Sequence, residues 1–159
     1  MSLPGIGELS EGEFPDEVIT PALDVTLFEA DIPFRIEDYD PADNDLIVKA
    51  IQAFRALEHS DLLPATDPVY RYYKDFYDDQ CDDEEVMEWL PVIENPEDVW
   101  NHVTMGRCEP IVQVEERDKE RHAVIYLECE CEWEEEHGLA FAFLDGTTLI
   151  EAGPCEEVF

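Results

Sequence analysis

The residues best suited to chemistry crowd into residues 121–137, RHAVIYLECECEWEEEH. Read as a strand, this stretch sends alternate side chains to opposite faces. One parity carries Ala123, Ile125, Leu127, Cys129, Cys131 and Trp133; the other carries Val124, Tyr126, Glu128, Glu130, Glu132 and Glu134. The first set reads as core and the second as the outer face. Successive carboxylates there stand about 6.6–6.8 Å apart, a ladder of like charge. Such a row costs stability unless water, basic side chains or a cation offset it. Just beyond lie Glu136, His137 and Gly138, which support two readings. As a site, an imidazole among carboxylates holds a cation or moves a proton. As a plain turn, Gly138 supplies a positive φ and His137 hydrogen-bonds the hairpin.

Other groups of ligand-bearing residues have quieter explanations. Cys129, Cys131, His137 and Cys155 would suit zinc, but one Cys-x-Cys without a second tight pair is a weak zinc pattern. Core parity already explains both strand cysteines as small buried apolar groups. The clusters Asp38, Asp40, Asp43, Asp45 and Asp78, Asp79, Asp82, Asp83 lack the Gly and Glu of a calcium-binding loop, and helix capping accounts for them. Tyr70, Tyr72, Tyr73, Phe76 and Tyr77 surround Arg71 and Lys74, as a core edge does. There is no Gly-rich phosphate loop, no Gly-x-Ser-x-Gly elbow and no His-Glu-x-x-His helix. The expectation is a protein that is not an enzyme and needs no cofactor or metal.

Charge narrows the partners. Forty-two acids face nine bases, a formal net charge of -33. Phosphate binding depends on Lys and Arg, so nucleic acid is excluded, and an anionic membrane surface is excluded likewise. Residues 75–98 hold eleven acids and no Lys or Arg. A basic protein surface is the favoured partner, met through Glu128, Glu130, Glu132, Glu134, Glu136 and His137. The alternative is an acidic surface adapted to high salt, with a small-ligand or divalent-cation site at the Glu-His-Gly turn. The first residues carry neither a basic region nor an apolar run, so a cytoplasmic location is expected. The odd set Cys81, Cys108, Cys129, Cys131 and Cys155 then reads as free thiols. Neighbours two apart on a strand also sit at the limit of disulfide geometry.

The elements that must position these residues follow from punctuation and period. Residues 1–17 mix Gly, Pro, Ser and Glu and read as a flexible lead-in to a single domain, 18–159. Val25 and Leu27, then Ile32, Phe34 and Ile36, alternate about a break near residues 29–31, as a hairpin does. Asp40-Pro41, Asp67-Pro68 and Asn95-Pro96 each read as a helix cap followed by Pro in the first turn. Apolar residues at helical spacing follow each pair, and Asp82–Glu85 precede Val86, Trp89, Leu90 and Ile93. Three to four short helices therefore fill an insert at about 41–103. Four strands follow, over 111–116, 123–133, 139–144 and 147–151, with Asp145-Gly146 marking a tight hairpin. The fold class is α+β: an antiparallel β-sheet, made of an N-terminal hairpin and a C-terminal four-strand meander, packed on the inserted helices.

The run Cys131-Glu132-Trp133-Glu134-Glu135-Glu136-His137-Gly138-Leu139, followed by Phe141, Phe143 and Gly146, resembles an uncharacterised bacterial domain family. Its signature is Cys-x-Trp-Glu-x-Glu-His-Gly-Leu ahead of a hydrophobic hairpin. The likeness covers residues 129–154. Members of that family continue with Gly-Pro-x-Asp-Gly-His, whereas here Gly153-Pro154 lead into Cys155-Glu156-Glu157-Val158-Phe159. Any role of that terminal His is therefore missing from this chain. The resemblance implies a fold rather than an activity. By analogy alone, small acidic proteins of this kind stand beside bacterial toxins as immunity factors.

Overall fold

A computed structural model describes residues 1–159. Composition predicts a flexible lead-in at residues 1–17, but three short strands lie there: β1 (Ser2–Leu3), β2 (Gly7–Glu8) and β3 (Ser10–Glu11). The reason is burial, since Leu3 and Ile6 belong to the main core. Next come β4 (Val18–Ile19), β5 (Leu23–Val25), β6 (Ala30–Ile32) and β7 (Arg35–Ile36). The expected hairpin is present as β5 and β6, turned by Glu29 at φ 51°, and it forms a small sheet of its own. β7 leaves it and pairs with the C-terminal strands instead.

The insert's helical segments lie between Pro41 and His102. Asp40 accepts the Ala42 N–H at 2.9 Å and Pro41 opens a 3-10 turn, which feeds α1 (Asn44–Arg55). Ile47, Ala50, Ile51 and Phe54 make its buried stripe. α2 (Thr66–Gln80) starts before Asp67-Pro68, so that pair caps nothing. The chain is already helical from His59, and the start is fixed upstream, where Asp61 accepts the Glu58 N–H at 2.8 Å. α3 (Glu84–Trp89) is capped by Asp83, which accepts from the N–H groups of Glu85 and Val86. A further 3-10 stretch, Pro96–His102, follows Asn95, whose side chain makes no cap bond. No helix is long and apolar enough to cross a membrane.

The remaining strands are β8 (Val103–Thr104), β9 (Ile111–Arg117), β10 (Glu120–Cys131), β11 (Leu139–Leu144) and β12 (Thr148–Gly153), before a last turn of helix, α4 (Cys155–Val158). The main sheet runs β12-β11-β10-β9-β7-β4-β3, with β8 pairing the far end of β10. All its pairs are antiparallel except β7 with β9. A parallel pair needs a long connection, which the helical insert supplies. α1 packs against β9 and β10. Its Phe54 sits edge-on to Phe34 and Phe143, and Trp100 stacks on Phe141.

Candidate functional site

β10 behaves as the alternation predicts on its inner face. Ala123, Ile125, Leu127, Cys129, Cys131 and Trp133 are all buried. The outer face divides. Val124 and Tyr126 are buried too, in a second apolar cluster with Ala140, Ala142 and Val158, and Tyr126 lies against Phe159. The C-terminal turn folds over an apolar patch that alternation alone reads as solvent-facing. Beyond that patch Glu128, Glu130 and Glu132 stand exposed.

Two rungs of this ladder have basic partners. Arg107 Nη1 lies 3.0 Å from Glu130 Oε2, and His102 Nδ1 lies 2.5 Å from Glu132 Oε2. β8 brings both bases there by pairing with Glu130 and Cys131. Glu128 has no ion partner. These residues, with Cys108, Glu135 and Glu136, line a cleft of about 480 Å³.

Glu134 does not extend the ladder, because β10 ends at Cys131 and the chain turns. Its side chain is only 15% exposed and organises the turn. Oε1 accepts the Glu136 N–H at 3.2 Å, and Oε2 lies 3.3 Å from His137 Nδ1. The Glu134 carbonyl accepts from the Gly138 N–H and the Cys131 thiol. Gly138 has φ +61°, and its carbonyl accepts the Tyr72 hydroxyl at 3.0 Å. The His137 carbonyl accepts the Cys155 N–H, tying the turn to the C-terminal segment. Trp133 sits edge-on to Tyr72 and Tyr73 beneath it, its indole N–H buried without a partner. The ligand atoms of Glu134, Glu136 and His137 all lie within 4.8 Å of one another. Cys129, Cys131 and Cys155 lie outside that group.

A family model described as a domain of unknown function, DUF6985, matches residues 5–159. The chain belongs to that family. No curated protein and no solved structure matches it.

In this DUF6985 domain the carboxylates of the turn favour the protonated imidazole of His137. Hydrogen bonding to Glu134, reinforced by Glu156 at 3.8 Å, raises the His137 pKa above its ordinary 6.5. Three of the five thiols are poor nucleophiles. Burial pushes Cys131 up to about 12 and Cys155 up to about 11, and it raises Cys129 as well. Burial also holds the Tyr72 phenol protonated as the donor to Gly138.

Sequence reasoning missed Trp89. Helical spacing puts it on a buried face with Val86, Leu90 and Ile93, yet it is 54% exposed. α3 stops at Trp89 and Leu90 turns extended at ψ 124°, so Leu90 and Ile93 enter the core and the indole is left outside. Phe76, Trp89, Glu132, Glu134, Glu135 and Glu136 line a groove of about 630 Å³. No sequence signal joins α3 to the 132–138 turn, because their neighbourhood is a product of tertiary packing. Half of the two acidic clusters resolves as capping and pairing: Asp40 and Asp83 cap, Asp78 pairs with Lys74, and buried Asp43 pairs with Arg121 at 2.5 Å.

Proposed function

We propose that this DUF6985 domain is a non-catalytic cytoplasmic protein that binds a basic protein partner through its acidic face. The observation that carries this reading is the ladder Glu128, Glu130 and Glu132 standing exposed beside Glu135 and Glu136 on one cleft. The chain's own bases neutralise it only in part: Arg107 meets Glu130 and His102 meets Glu132, while Glu128, Glu135 and Glu136 have no ion partner. Lys and Arg ion pairs engage Glu37, Asp43, Asp78, Glu115 and Glu130, and the remaining carboxylates have none. A partner rich in Lys and Arg is steered in by this field. The analogy to small acidic immunity factors agrees with such a role.

The test starts from a partner captured from the source lysate. Glu128→Lys, Glu130→Lys and Glu132→Lys together should cut its on-rate and leave the fold intact, since exposed ion pairs contribute only ~0–1 kcal/mol. Association should also slow steeply between ~0.05 M and ~0.5 M salt. An on-rate indifferent to both changes overturns the reading.

The convergence of Glu134, Glu136 and His137 favours a second reading, a salt-adapted surface with a divalent-cation site at the turn. That reading expects folding only near ~2 M salt, whereas a partner-binding protein folds at ~0.1 M as well.

A further inference from the structure

We propose that the groove between α3 and the 132–138 turn receives an arginine side chain of the basic partner, with Trp89 as its stacking platform and Glu135 and Glu136 as its carboxylate acceptors. The inference rests on the partner-binding reading above and assigns the chemistry of one contact.

Four observations carry it. Trp89 is 54% exposed, whereas the other two tryptophans are packed against Tyr72, Tyr73, Phe141 and His59. Its ring is paired with no aromatic group, and the chain's one cation–π contact is Lys74 over Tyr77. Phe76 also lines the groove, and every other lining residue is a glutamate, with no base among them. Glu135 and Glu136 make no ion pair, while Glu132 is engaged by His102 and Glu134 by His137.

These features select a guanidinium over other cations. A planar guanidinium lies flat on an indole while its in-plane N–H groups remain free for carboxylates. Those hydrogen bonds are charge-assisted and can be bidentate. An ammonium is a compact, strongly hydrated charge that cannot stack while donating a fork of two bonds. Trp and Arg are also among the side chains in which interface energy concentrates.

The experiment titrates the folded chain with fluorescently labelled hexa-arginine and hexalysine peptides at ~0.1 M salt, read by anisotropy, with circular dichroism on every variant. Hexa-arginine should bind the more tightly of the two. Trp89→Ala should weaken hexa-arginine about fivefold and leave hexalysine nearly unchanged, the size of a single cation–π contact. Trp89→Phe should retain most of the affinity, because a ring remains. Glu135→Gln with Glu136→Gln should weaken hexa-arginine further. Equal binding of both peptides with no loss in Trp89→Ala overturns the groove. If the Glu128, Glu130 and Glu132 reversal still weakens both peptides, the acidic-face reading survives that failure. No binding of hexa-arginine at all overturns the groove and the reading on which it rests.

Discussion

Glu134 shows how one carboxylate changes role when a strand ends. By parity it is a fourth rung of the ladder, but the turn after Cys131 draws it inward to hold His137 and the Glu136 N–H. Its partner is the reporter. His137 should titrate above 6.5 by NMR, and Glu134→Gln should bring the value back toward 6.5. The sign follows from the raised value: the contact stabilises the fold fully below the unfolded pKa, and that contribution fades as pH rises through the folded one. A His137 titration unchanged by Glu134→Gln would show that the pair does not act. The cysteines give a second residue-level expectation. In the native chain exposed Cys81 should react fastest with a thiol reagent, and buried Cys129 and Cys131 slowest. After denaturation without reductant the count should be five, whereas three or fewer would indicate disulfides. Parity revealed the inner face of β10 residue by residue. It could not show that Val124 and Tyr126 are covered, because their cover comes from the distant Val158 and Phe159.

Among the elements, those with local signals were legible and those set by packing were not. Asp145-Gly146 is a hairpin turn with both residues at positive φ, 51° and 79°, and the strands on either side lie close to their expected bounds. α1 shows its apolar period in full. The start of α2 was hidden because its cap precedes a 3-10 stretch, and the exposure of Trp89 because α3 stops within two turns. The hairpin tip also carries a constraint that turn chemistry does not reveal. A Cβ on Gly146 would stand 2.1 Å from the Ala50 carbonyl oxygen of α1. Gly146→Ala should therefore cost more than ~1 kcal/mol in urea unfolding, from the clash added to the positive φ. Gly153→Ala is the control: its nearest neighbour is 3.7 Å away at the end of Glu157, and the change should be close to neutral. Equal stabilities for the two variants would mean that the hairpin tip does not bear on α1.

For the whole molecule, the formal charge of -33 is a property of the folded object as much as of its partners. Carboxylates held together on one surface repel, so added salt should raise the melting temperature between ~0.05 M and ~0.5 M while it weakens partner association. Both trends come from one screening length, and a melting temperature that falls with salt would contradict the self-repulsion. The sheet also has a seam. Its C-terminal strands are neighbours in sequence joined by short turns, whereas β3, β4 and β7 join their ladder through the parallel register Arg35↔Ile111 and Ile36↔Val112. Closing that register means bringing together segments separated by the whole helical insert, the kind of contact that forms late and slowly. The N-terminal wing is therefore expected to open before the C-terminal strands, although Leu3, Val18 and Ile36 share their core. Native-state amide exchange should find the N–H groups of Arg35 and Glu37, which bond across the seam to Pro110 and Val112, opening before those of Ile125 and Leu127.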